Sequence, residues 1–439
     1  MARIAIMALE GVDIEVPASG TDLPINGIDD ELMEATEIST DINNNNDSID
    51  EAVETTQVLE SISIEMGKSI DKGGLSPDAA KMISIAVEHL YKRIGMKRIN
   101  TGFVLEAFND KTTKIQATKI AMETIAETAK KVWQAILAAL SKAIEWVKNF
   151  YFQIMHSVEK YQALAEKVIA AADKAKGVES VSNKDDWNKY LRKDNKQLEG
   201  DEVAGAYKEF VAHLDKMQLS KNIIQYTDKA KNIIARNYTD SHSLIGEASK
   251  HLDYSVLFLQ GNQIKTETGD LRQSEVKLAI GDTSIYATNV KSSETDDGWI
   301  NYVNKARVWI DKSSDYADAP AQEERRAMSP NVVKDLATAV NNHLKAFSNV
   351  KSDINKINEN QKNIMSAAAS KAKVTSEDPD KAKAIKATQA LIKNTIGLST
   401  NTITAIHRHD IMVTKAILGY CSKCIGSSQE AKEGEPEKK

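Results

Sequence analysis

From Thr112 to Lys176 the chain has neither proline nor glycine, and its apolar residues return at helical spacing. Ile115, Met122, Ile125, Val132, Ile136, Leu140, Ile144, Val147, Ile154, Val158, Tyr161, Leu164 and Val168 are separated mostly by three, four or seven positions. Such intervals align side chains on one face of an α-helix. The pattern predicts one long helix, or two in line, over 112–176.

Shorter stretches carry their own signals. Ser76-Pro77-Asp78 reads as a helix start, with Ser76 as cap, Pro77 at the first helical position and Asp78 facing the dipole. That helix is expected to reach about Gly95, and Asn100 and Gly102 break the pattern over 99–111. Further helices are predicted over 185–198, 202–217 and 219–250. Between Asp253 and Val290 the period changes to two. Tyr254, Val256 and Phe258 alternate with their neighbours, as do Val276, Leu278 and Ile280, and Gly261-Asn262 and Gly281-Asp282 supply turns. Asp296-Asp297-Gly298 opens a helix through Trp309, and 330–372 and 380–424 read as two long helices separated by Pro379. The fold class is mainly α: an elongated multi-helix bundle with a long central helix and a small antiparallel β insertion.

Composition agrees with helix. Seven prolines and 20 glycines are few for 439 residues. The two cysteines exclude a disulfide scaffold. No run of 18 apolar residues exists, so no transmembrane helix is expected, and MARIAIMALEGVDIEV lacks the apolar core of a secretory signal.

Charge divides the chain. Residues 1–67 hold 16 acids against Arg3 alone, a net of −15, so a chain of −6 carries +9 on its remainder. The expected organisation is an acidic, flexible leader or propeptide over 1–67, then a helical segment and linker over 68–106. A helical body follows over 107–252, a β insertion over 253–298, C-terminal helices over 299–426 and a disordered tail over 427–439. Residues 28–66 have enough Ile, Leu and Val to form helix against a partner.

Candidate chemistry is sparse. The common nucleotide, metalloprotease, hydrolase and kinase signatures are absent, so no catalytic residue and no cofactor is assigned. Cys421 and Cys424 with His407 and His409 offer four ligand atoms, but the spacing matches no standard zinc module and the thiols read as core. The segment 129–154 gathers Trp133, Trp146, Phe150, Tyr151 and Phe152. A core stripe is the commoner origin of such a face; a partner surface or a membrane-lying helix is the alternative. Lys371, Lys373, Lys381, Lys383 and Lys386 form the densest basic stripe, fit for non-specific phosphate contact at most.

An acidic leader followed by a Trp-containing amphipathic helix resembles the internal head (prohead core) proteins of large tailed bacteriophages. The resemblance covers mainly residues 1–176. It implies packing inside the capsid, with capsid or core proteins as partners and trimming by a prohead protease after small-x-Glu or Leu/Ile-x-Glu. Ala8-Leu9-Glu10, Ala52-Val53-Glu54, Ser63-Ile64-Glu65, Ala86-Val87-Glu88 and Ala121-Met122-Glu123 fit the first form, and Leu32-Met33-Glu34 and Ile125-Ala126-Glu127 the second. Val104-Leu105-Glu106 fits neither strictly but lies in the predicted break. The candidate cuts are Glu10, Glu34, Glu54, Glu65 and Glu106. Removal of residues 1–65 would leave a basic body that tolerates or weakly binds DNA; a cut at Glu106 would leave about +6. The expected product is a virion structural protein; the competing readings are a membrane-active helical protein and an enzyme sited on the small sheet.

Overall fold

The structure, a computed structural model, describes residues 29–95, 101–110, 112–182, 186–252, 262–265, 271–290, 295–313, 315–316, 324–370 and 378–430. The stripe over 112–176 folds as one helix, α3 (Lys114–Ala172), about 88 Å long at 1.5 Å per residue. Most of its periodic residues are buried, with Ile125, Leu140, Ile154 and Val158 fully enclosed; Ile115, near its start, is exposed.

The helix that covers this stripe comes from the leader, where the apolar residues of 28–66 form helix against a partner within the same chain. Most of the acidic leader's described part is α1 (Asp29–Ile70), which packs along α3. Asn45 Nδ2 donates to the Ala139 carbonyl and Gly67 lies against Met122, so the two helices run antiparallel. Leu32, Ala35, Ser39, Ile42, Asn46, Ile49, Val53, Thr56, Glu60 and Ser63 are all buried. They step by three and four, a heptad seam. Glu34, Glu37, Asp41, Asp47, Glu54 and Glu65 stand on the outer face. From Asp29 onward the leader is therefore a core helix with an acidic back. Residues 1–28, with Glu10, lie outside the described residues.

After α1 come α2 (Pro77–Arg93), whose Ser76 side chain accepts from the Ala79 amide as expected, and a 3-10 turn, Leu105–Phe108. Beyond α3, the strand β1 (Ser180–Ser182) pairs antiparallel with β8 (Glu324–Arg326). This short ladder closes the excursion that leaves α3 and returns at α8 (Pro330–Phe347). Residues 185–198 do not form the predicted helix. A 3-10 turn, Asp186–Tyr190, leads into a tight hairpin, β2 (Arg192–Lys193) and β3 (Lys196–Gln197), whose turn residues Asp194 and Asn195 take left-handed φ of 51° and 64°.

Helix α4 (Glu202–Met217) has the predicted bounds. The stretch 219–250 is broken into α5 (Leu219–Ala235) and α6 (Ser241–His251), because Asp240 caps a new start by accepting from the Ser243 amide. The β insertion is a four-stranded antiparallel sheet in the order β4 (Asn262–Lys265), β5 (Leu271–Lys277), β6 (Thr283–Val290), β7 (Val308–Lys312). Gly281 and Asp282, with φ of 93° and 48°, make the β5–β6 turn. The predicted strand at Tyr254, Val256 and Phe258 lies outside the described residues. The sheet also outlasts its expected end at 298. Helix α7 (Asp296–Lys305) stops short of Trp309, which joins β7 and stacks on Tyr286 across the sheet at 5.5 Å.

The C-terminal third holds α8, α9 (Val350–Ser370) and α10 (Pro379–Glu430). Helix α10 runs four residues into the stretch read as tail; 431–439 are outside the described residues. From Ala387 to Ile425 no position of α10 is exposed. It touches α1, α3, α5, α6, α7, α8 and α9, so α10, rather than α3, is the central helix. Its polar side chains are spent inside the protein. Asn394 Nδ2 donates to the Val303 and Ala306 carbonyls at the end of α7 (2.7 and 2.9 Å), and Tyr226 of α5 donates to Asn394 Oδ1. Lys393 donates to the Asn304 carbonyl, adding a cation to the same helix C-terminus.

Replacing Asn394 with alanine strands two buried carbonyls. Asn394→Ala is expected to lower stability in urea by about 2–3 kcal/mol. A loss below about 0.5 kcal/mol would show that α7 is held by apolar packing alone.

Candidate functional site

The densest group of titratable side chains sits where α3, α4, α8 and α10 meet. Asp410 of α10 faces His343 Nε2 of α8 through both oxygens, at 2.9 and 3.0 Å. One turn back, His407 Nδ1 lies 2.5 Å from the Tyr151 hydroxyl of α3, and Phe347 meets its ring edge-on at 4.9 Å. His409 points the other way, into Phe210 of α4 and the β5–β6 turn, where Gly281 leaves room for the imidazole. Burial pulls His407 and His409 down to about 4, against the opposing pull of Asp410. Burial also acts against a charge on His343, but Asp410 outweighs it and holds that pKa above its ordinary value.

A histidine oriented by a carboxylate is half of a general-base arrangement. Here both side chains are nearly enclosed, at 10% and 3% exposure, and the adjacent ring is Tyr207 rather than a nucleophile. The arrangement cross-links helices. A cleft of about 180 Å³ opens beside the β2–β3 turn, where ion pairs Lys193–Glu209 (2.5 Å), Lys277–Asp315 (2.6 Å) and Arg192–Asp282 (2.9 Å) occupy the charged groups. A second, of about 250 Å³, lies between Trp133, Tyr238 and the first turns of α10. Both fall below the ~300 Å³ usual for small-molecule sites. Among the described residues no three His, Cys, Asp or Glu side chains are placed to share a metal ion.

A second polar seam joins α1 to α10 and α7. Asn46 meets Asn401 (2.5 Å), Asp50 pairs with Lys393 (2.6 Å), and Gln57 accepts from Asn304 (3.2 Å). Further along, Glu60 accepts from Gln389 (3.4 Å) and Ser61 from Lys386 (2.7 Å). Burial raises Asp50 above its ordinary value and pushes Glu60 up to about 7, despite nearby Lys386. Sequence reasoning missed this seam because Asn, Asp, Gln and Glu resemble a solvated face; their four- and seven-residue spacing was the available signal.

The residues singled out from the sequence are dispersed. Glu34, Glu54 and Glu65 lie on α1, exposed but helical, while Val104, Leu105 and Glu106 are exposed in the turn between α2 and α3. Trp133, Phe150 and Tyr151 are buried at 2%, 0% and 6%, and Trp146 packs against the core under Lys142. Only Phe152, 58% exposed, remains at the surface. These five residues therefore form no common outer face for a membrane or partner: α3 spends its aromatic stripe on the bundle. No helix of the described residues is long and apolar enough to cross a membrane. Cys421 and Cys424 are buried free thiols, and burial raises both pKa values. His407 and His409 lie 12 or more positions before Cys421 on the same helix, at least ~18 Å away along the axis, so the four share no site. Lys381 and Lys383 face Asp378 and Asp297; Lys371 and Lys373 are outside the described residues.

Against known families, the sequence model of the phiKZ-like phage internal head proteins matches residues 25–423. The chain belongs to that family. No curated protein and no solved structure matches it. The resemblance read from the first 176 residues thus extends over nearly the whole chain. This internal head protein is a structural component of the phage virion, located inside the capsid. The family match includes α1, so the acidic helix is part of the shared unit and not an appendage to it.

The buried groups fix the internal head protein's response to pH. His407 and His409 stay neutral in the fold down to about 4 but accept protons from 6.5 downward when unfolded. Stability is lost as pH falls through that window. Glu60 has the opposite sign: it ionises at 4.5 when unfolded but only near 7 in the fold, so stability is lost as pH rises from 4.5 to about 7. Glu60→Gln should stabilise the protein by about 2–3 kcal/mol at pH 8 and by under about 1 kcal/mol at pH 5, read from urea unfolding. An equal gain at both pH values would mean that Glu60 is solvated.

Proposed function

We propose that this internal head protein is a non-catalytic structural protein made as a precursor, and that a prohead protease cuts it after Glu106. A protease needs a segment it can draw into extended form, and helices resist this. The exposed run Val104-Leu105-Glu106 in the turn before α3 is the observation that carries the reading. Glu54 lies mid-helix on α1, Glu34 in its second turn and Glu65 in its second-last, all three in helical backbone.

Charge supplies the purpose. Residues 1–106 hold 20 acids against eight bases, a net of −12, so the product 107–439 carries +6 where the precursor carries −6. A sign change of that size turns repulsion from packaged DNA into tolerance or weak attraction. Capsid or core proteins are the partners during assembly. The buried state of Trp133, Phe150 and Tyr151 disfavours the membrane-active reading.

Two measurements test this. Intact mass and N-terminal sequencing of the protein from mature heads should give a start at Ala107; a start at Gly11, Ala35, Thr55 or Met66 would move the cut, and one at Met1 or Ala2 would remove it. The product taken from heads should bind duplex DNA at low salt at least about tenfold tighter than the precursor, with the difference vanishing as salt rises. Equal binding would sink the charge argument.

A further inference from the structure

Six of the nine large apolar side chains that the described residues expose lie between Met82 and Ile120. The two most exposed on any helix, Met82 (73%) and Ile85 (60%), are one turn apart on α2. Scattered exposed apolar residues are ordinary, but a clustered face is not. The inner side of α2 is already used: Ala80, Val87 and Tyr91 are buried against the bundle. The outer side presents Asp78, Met82, Ile85, His89 and Lys92. Their steps of four, three, four and three are those of a two-helix seam.

The charges on this face say what covers it. Asp78 stands at the start of the seam and Lys92 at its end, where it also reaches Glu88 one turn back (2.5 Å); Lys81 and Glu88 flank the middle. We propose that α2 pairs antiparallel with α2 of a second copy of this chain, about a two-fold axis between Ile85 and Ala86. That arrangement sets Ile85 of each copy against Ala86 of the other and Met82 against His89. It sets Asp78 opposite Arg93 and one residue from Lys92, and Lys81 within a turn of Glu88, twice over. A parallel pairing would oppose Asp78 to Asp78 and Lys92 to Lys92. Antiparallel helices also align each acidic first turn with the other's basic last turn. The interface is isologous and closes at two. Arg93 is held by Glu51 and Glu54 of α1 at 3.0 Å to each, which fixes α2 on the body and presents the seam rigidly. A single helix pair falls short of the ~800 Å² per partner of a strong interface, so the dimer is weak. The proposal does not depend on cleavage.

Sedimentation velocity on the full chain across the micromolar range is the test. A concentration-dependent monomer–dimer equilibrium is expected. Ile85→Glu should weaken it at least about tenfold. Asp78→Lys and Lys92→Glu should each weaken it about threefold, and the double variant should restore it. Ala86→Cys should form a disulfide-linked dimer on mild oxidation, the native thiols being buried. Every altered side chain is exposed, so circular dichroism should be unchanged. A chain that stays monomeric throughout, an Ile85→Glu chain that still dimerises, or a double variant without rescue would each overturn the pairing.

Discussion

The structure turns on a helix that has no outside. Over the 39 residues from Ala387 to Ile425, α10 is enclosed by seven other helices, yet it is rich in Thr, Ser, Asn, Lys and His. A buried polar group without a partner costs several times what a satisfied one contributes. Several of the short side chains resolve this locally. Thr388, Ser399, Thr400 and Thr404 return their hydroxyls to the carbonyl four residues earlier. The long ones cannot, so their partners must be brought to them. Asn394 and Lys393 take the end of α7, Asp410 takes His343 of α8, His407 takes Tyr151 of α3, and Asn401 takes Asn46 of α1. Apolar packing brings the helices together; these polar contacts fix where each stands along α10.

How legible this was follows from the same physics. Helix α3 is one-sided, so its stripe marks it in the sequence; α2 and α4 are short and carry clear boundaries. Helix α10 reads correctly as a helix but not as the axis, because an all-round buried helix shows no polar face and its hydroxyls pass for solvated ones. Helix α1 is legible over 28–66 as a helix that needs a partner, but its place in the core is hidden by its neighbourhood. Prolines and glycines in 1–28 and the acids of its outer face give the whole leader the character of a stretch that cannot bury itself. The seam itself alternates Leu32, Ile42, Ile49 and Val53 with Ser39, Asn46, Thr56 and Glu60. The heptad step was present; the residue types at half its positions concealed it. The breaks at Asp240 and at Asn195 turn on the backbone chemistry of single residues, which the helical spacing around them masks.

The acidic helix is therefore a cover with two unlike inner faces, one apolar and one polar. Its apolar ridge fits α3 between Met122 and Ala139, while Trp133 and Tyr151 of α3 face α10 and stay covered without it. Its other contacts, to α10 and α7, are polar and include Glu60, a carboxyl whose ionisation burial delays to about 7. A helix meant to stay would gain by replacing those groups with leucine. Keeping them fits a helix that the proposed cut at Glu106 would free. Release would uncover the α3 face between Met122 and Ala139 and remove the α2 seam in one step. The pairing surface would then belong to the precursor, and the newly bared apolar face, beside a body of +6, to the protein in the filled head. Assembly contact and mature contact would be mutually exclusive by covalent connection.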